Sequence, residues 1–181
     1  MEKGNHEFKP TIAKTVNIVG ENIRIGSFSV IEDYVLLDCG SSNHSEIAIG
    51  LRAKIKQGAV LRTYDGRIEI GNRVSIGEYS VLAGHGGLTI GDCTVIAGHC
   101  YVSAANHIFA HDGIIRFQGE TSRGITIGQN VWIGACVVVL DGIHIGDGCV
   151  VGAGSVVTKS LPPNTICFGV PCRIIKKRED L

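Results

Sequence analysis

The chain has 181 residues, 44% of them hydrophobic, and carries 17 basic against 17 acidic side chains. That length fits one domain with a sizeable core, and the balanced charge supplies no global field for nucleic acid or an anionic membrane surface. The opening MEKGNHEFKP places charge where a signal peptide needs an apolar run, and no stretch approaches membrane-spanning length, so a soluble, cytoplasmic protein with neither nucleic-acid nor membrane partners is expected.

Residues 1 to about 14 form a polar lead-in without a period. An aliphatic residue then returns every six positions, at Val19, Ile25, Ile31 and Leu37, with Asn43 on the next beat as a turn. The beat resumes in phase at Ile49, Ile55 and Leu61, takes three extra residues before Ile70, Ile76 and Leu82, and slips by two before Ile90, Ile96 and Val102. From Asn106 to about Gly124 it lapses. It then runs through Ile127, Ile133, Val139, Ile145, Val151 and Val157 without a slip.

Six residues turn an α-helix through about 600° and scatter such positions around it, so the period excludes one helical face. Short strands separated by turns satisfy it, with the first and fifth residues of each hexad facing inward because strand side chains alternate. The repeated Gly at the second position, as in Ile133-Gly134, lets the backbone bend near a corner. Fixed short periods mark stacked architectures, so one all-β domain is expected over 1–181, with coils over 15–105 and 125–162, a protruding loop over 106–124 and a closing segment over 163–181. The seven cysteines form no CxxC pair. Cys100 and Cys149 fall at fifth positions, beside Ser29, Ala53, Ala59, Ser80 and Ser155 in other hexads, and read as small buried hydrophobes in a reducing compartment.

These hexads resemble those of the hexapeptide-repeat acyltransferases, over roughly residues 15–175. Phe168-Gly169-Val170-Pro171-Cys172-Arg173 and the following Ile174-Ile175-Lys176-Lys177 resemble the closing segment of the sugar (maltose, galactoside) and xenobiotic O-acetyltransferase branch, where a strand and a short helix are expected. The resemblance implies a left-handed parallel β-helix, a homotrimer with active sites between neighbours, and acetyl-CoA as co-substrate. It further implies acetyl transfer to a hydroxyl of a small-molecule acceptor, a sugar or glycoside.

A regular solenoid wall is core and corners, so chemistry is expected where the pattern breaks. His107 opens the lapse, and an imidazole that titrates near neutrality can take the proton of an attacking hydroxyl. On the residues alone it can equally be a loop histidine capping a turn; Asn106-His107 resembles the family's general-base position, which makes it the candidate catalyst. Glu120 either orients the base, touches the acceptor or is a solvated carboxylate. His85, in Gly84-His85-Gly86, is a corner residue that can reach the acceptor or serve as a turn residue. His85, Asn106 and Glu120 thus make up the candidate acceptor side, while His111 reads as a surface or substrate-side residue.

On the donor side, Trp132-Ile133-Gly134-Ala135 and Gly152-Ala153-Gly154-Ser155 resemble the corners whose amides hold the pantetheine arm of CoA. Ala135 stands where the family often has Ser, which puts a side-chain contribution in doubt but not an amide contact. Thr158, Lys159 and Arg173 match positions associated with CoA phosphates, chemistry that suits a lysine point charge and a planar guanidinium. The bland alternative is a solvated basic tail of Lys159, Arg173, Lys176, Lys177 and Arg178. Trp132, the sole Trp, is expected to point outward and to line an interface or the transfer cleft.

Other readings stay open. Within the branch they are a xenobiotic (antibiotic) O-acetyltransferase and an amino-sugar N-acetyltransferase. From another class, γ-type carbonic anhydrases share the solenoid and bind zinc through three His, for which His85, His107 and His111 form the one trio to test; no metal is expected. An inactive scaffold is the last.

Overall fold

The computed structural model describes residues 8–180; the first half of the polar lead-in, residues 1–7, and Leu181 lie outside the described residues. The hexads coil into a left-handed parallel β-helix with three walls, of nine, seven and six strands. Wall one begins at Thr11–Ile12 and includes Val95–Ile96, Trp132–Ile133 and Val150–Val151. Wall two runs from Asn17–Val19 through Tyr101–Ser103 and Val138–Val139 to Val156–Val157. Wall three runs from Ile23–Ile25 through Leu88–Ile90 and Ile125–Ile127 to His144–Ile145.

The beat of the sequence is the core of the protein. Ile31, Ile55, Ile76, Ile96, Ile133 and Val151 pair in one continuous file along wall one. Leu37, Leu61, Leu82, Val102, Val139 and Val157 do so along wall two, and Ile25, Ile49, Ile70, Ile90, Ile127 and Ile145 along wall three. All but Ile25 are buried, each stabilising the fold by about 1.5–3 kcal/mol relative to exposure. The fifth-position residues Ser29, Ala53, Ala59, Ser80, Cys100, Cys149 and Ser155 are buried beside them, as the alternation requires. Where Ser or Thr takes that place its hydroxyl is satisfied across coils: Ser29 donates to the Gly50 carbonyl at 2.8 Å and accepts from the Ala53 amide at 2.9 Å.

Two details differ from the sequence reading. Apart from Gly20, the second-position glycines, such as Gly134, do not have the positive φ of a tight bend. They allow coils to approach: a Cβ on Gly134 would lie 2.6 Å from the Ala153 amide nitrogen. The last coil is also short. Ile127 pairs with Ile145, eighteen positions on, whereas Ile145 bridges Leu161, sixteen on, and the strand Thr165–Phe168 continues wall one beyond it. The end is closed as expected by a strand, Arg173–Lys177, antiparallel to Thr165–Phe168, and a 3-10 turn, Arg178–Asp180. No helix among the described residues is long and apolar enough to cross a membrane.

The lapse is a short antiparallel ribbon. Asn106–His107 pairs with Glu120–Thr121, Asn106 opposite Thr121 and His107 opposite Glu120. The far end carries one 3-10 turn, Ile115–Phe117, and is drawn together by Gln118, whose amide group donates to the carbonyls of His111 and Gly113 and accepts from the His111 amide.

Replacing Gly134 with Val forces a Cβ into the backbone of the next coil and is expected to destabilise by about 1–3 kcal/mol. Gly113→Ala, whose Cβ meets only the Gln118 side-chain nitrogen at 3.7 Å, is expected to stay within about 0.5 kcal/mol of wild type. Thermal or urea denaturation of both variants checks the contrast.

Candidate active site

The coil delivers His107 at the edge where the chain leaves wall two. Val102 and Ala104 are buried, so the register is fixed up to the last inward residue, and the next steps carry Asn106 and His107 outward into the ribbon. Across the ribbon, Glu120 Oε1 stands 3.4 Å from His107 Nδ1. A carboxylate there favours the tautomer with hydrogen on Nδ1, leaving Nε2 free to accept a proton. Both side chains are solvent-accessible, and they share a hollow of about 300 Å³ with His85, Tyr101, Ser103 and Asn106. All three expected acceptor-side residues therefore meet at His107.

His85 is held from behind. Its ring stacks on Tyr64 with centroids 3.8 Å apart and planes 17° apart, and the Arg62 guanidinium lies 5.7 Å from the Tyr64 centroid. Arg62 Nε donates to Asp38 Oδ2 at 2.8 Å, a bond that raises the already high guanidinium pKa. His85 Nδ1 is buried without a hydrogen-bond partner among the described residues. An unpaired N–H is costlier to bury than a bare lone pair, so the ring hydrogen belongs on Nε2. Tyr64, Arg62 and Tyr101 carried no signal in the sequence reading. Tyr101 sits at an outward hexad position, and the Tyr64–His85 contact joins neighbouring coils across an irregular step.

The ribbon leaves His111 exposed at its far end, outside the hollow that His85 and His107 share. Among the described residues of one chain no group of three His, Cys, Asp or Glu side chains is placed to hold a metal ion.

Of the expected donor-side residues, Ala135 and Ala153 lie on the other edge of wall two, where the chain enters it, whereas Trp132 stands on wall one and Thr158 and Lys159 at the edge where the chain leaves wall two. Ala135 and Ala153 are turn residues on successive coils, tied by a bond from the Gly154 amide to the Ala135 carbonyl at 2.8 Å. Their own amides donate to no group among the described residues. Trp132 points outward between Val95 and Val150 and is 56% exposed. Thr158 and Lys159 are exposed at the end of the last strand of wall two, which the closing segment overlies through a bond from the Cys172 amide to the Val156 carbonyl. Arg173 follows, exposed, with Nη1 on the Cys172 carbonyl at 2.9 Å. The corner of Ala135 and Ala153 is thus separated from His107 within one chain by the breadth of a wall, on the order of 15 Å for five residues of extended chain.

Three walls of stacked hexads define a hexapeptide-repeat β-helix. Residues 124–159 match the family described as bacterial transferase hexapeptide (six repeats). It is 42% identical over 126 residues to a galactoside O-acetyltransferase of Escherichia coli (strain K12), a match covering 65% of this chain and 58% of that one. Among solved structures it resembles AntD, an N-acyltransferase from Bacillus cereus in complex with dTDP and 3-hydroxybutyryl-CoA, with a TM-score of 0.66 and 25% identity over 93% of this chain and 80% of that one. It also resembles a galactoside acetyltransferase in complex with coenzyme A, with a TM-score of 0.50 and 31% identity over 91% of this chain and 66% of that one. The chain spans less than two thirds of the length of the first curated relatives it matches.

All seven cysteines are free; Cys93 and Cys136 are exposed and the other five buried. Burial pushes the thiols of Cys100, Cys167 and Cys172 up. A thiol reagent is therefore expected to label Cys93 and Cys136 in the native protein and the remaining five only after unfolding, as peptide mapping checks.

Proposed function

We propose that the protein transfers an acetyl group from acetyl-CoA to a hydroxyl of a sugar or glycoside, with His107 as the general base. The observation that carries this reading is the His107–Glu120 contact, which leaves Nε2 free in a hollow at the one long break of the coil. The relatives' names support the reaction class: the E. coli relative is a galactoside O-acetyltransferase and one structural neighbour is a galactoside acetyltransferase holding coenzyme A.

The acceptor hydroxyl donates to His107 Nε2 while its oxygen attacks the thioester carbonyl carbon. Glu120 stabilises the imidazolium that forms. The C–S bond breaks, and the CoA thiolate leaves and takes the proton from His107, so no covalent enzyme intermediate is required. Asn106 and His85 hold the acceptor, and the unpaired amides of Ala135 and Ala153 hold the pantetheine arm, with Thr158, Lys159 and Arg173 toward the phosphates and Trp132 beside them. Because the donor corner lies a wall's breadth from its own His107, each site is assigned to two neighbouring chains of a homotrimer, the corner from one and His107 from the other.

A second reading is N-acyl transfer to an amino sugar, which the likeness to AntD, an N-acyltransferase, favours. Incubation with acetyl-CoA and a panel of galactosides, maltose and amino sugars separates the two by product. His107→Ala is expected to lower kcat by about 10²–10⁴-fold with an unchanged melting temperature. If His107→Ala keeps most of the activity, the general-base assignment is wrong.

A further inference from the structure

The loop that carries His107 leaves wall two after Ala104 and must return to wall three at Ile125. Its two-pair ribbon is too short to hold its own register. A slip of one residue would turn Glu120 to the opposite face, away from His107. One side chain of the next coil grips the returning strand. Asp141 Oδ1 accepts from the amides of Arg123 at 2.8 Å and Gly124 at 3.0 Å, and Oδ2 accepts from the Thr121 hydroxyl at 3.3 Å. The bond from the Gly142 amide to the Gly124 carbonyl, at 2.9 Å, flanks this clamp.

The repeat itself does not call for a carboxylate here. The ladders of wall two align Asp141 with Cys39, Thr63, Gly84 and Ala104 in earlier coils and with Lys159 in the next. Asp stands only in the coil that pairs with Tyr101–Val102, the last strand before the ribbon. Thr121, which it grips, is the residue after Glu120 and lies opposite Asn106.

We propose that Asp141 is a positioning residue for the transfer reaction: it fixes the returning strand in the one register that sets Glu120 against His107 Nδ1. This rests on the reading of His107 as the base. Asp141 touches neither acceptor nor donor; it acts through Thr121 and the amides of Arg123 and Gly124, and its loss leaves those groups to water and the strand free to shift.

Misplacing a catalytic group by about 1 Å can cost ~10²-fold in rate. Asp141→Ala is therefore expected to lower kcat by about 10- to 100-fold, with the KM for acetyl-CoA within about twofold of wild type. Asp141→Asn keeps an acceptor oxygen for the two amides and can donate to the Thr121 hydroxyl, and is expected to recover to within about threefold of wild type. Amide hydrogen exchange on the same proteins should quicken over 106–124 in Asp141→Ala while the coils remain protected as in wild type. Wild-type kcat and wild-type exchange in Asp141→Ala overturn the proposal, as does an Asn variant as impaired as the Ala variant with both melting early. If the wild-type protein itself transfers no acetyl group, the His107 reading fails, and the exchange comparison still decides whether Asp141 fixes the loop.

Discussion

The rest of the molecule depends on the stacking of one aliphatic side chain upon its equivalent in the next coil. No coil has a core of its own; each buries its inward residues only against the coils above and below. The three files of Ile, Leu and Val therefore dictate where the chain can vary. Val102 and Val139 pair directly although a long excursion separates them in sequence, so the ribbon leaves from a corner at no cost to the register. A corner is the one place where such a fold admits an insertion, and the chemistry is assigned to that insertion.

The regular coils contribute rigidity, and amides that are unpaired because their corners lie outside the ladders. Ala135 and Ala153 present two of these one coil apart, a spacing suited to an extended arm with its own amides and carbonyls. The ribbon contributes what a ladder does not: a histidine and a carboxylate facing each other at the rim of a hollow. Its short strands need support from below, which the Asp141 carboxylate supplies, and His85 gets corresponding support from Tyr64, Arg62 and Asp38 in the coils above.

Most of the architecture was legible from the beat at Ile127, Ile133 and Val139, because each inward residue reports its own burial and three such residues account for a turn. The grouping of His85, His107 and Glu120 around one hollow was legible as well, since His107 and Glu120 fall within the break and His85 within a slip. What stayed hidden involves residues about twenty positions apart that meet only once the slips between coils are known. The Tyr64–His85 stack joins two corners across an irregular step, the shortened coil at Leu161 is masked by Pro162 and Pro163, and Asp141 sits in a hexad that looks like any other. The glycines were placed correctly, but their reason is the approach of neighbouring coils, which a single hexad does not display.

The central claim is that the regular corner holds the donor and the broken corner performs the transfer, on neighbouring chains. A structure of the protein with coenzyme A bound tests it most directly. The pantetheine arm is expected along the Ala135 and Ala153 amides, with the thiol sulfur within about 4 Å of Nε2 of a neighbouring chain's His107. A coenzyme seated on another corner, or a thiol that no His107 of the assembly can reach, would contradict it.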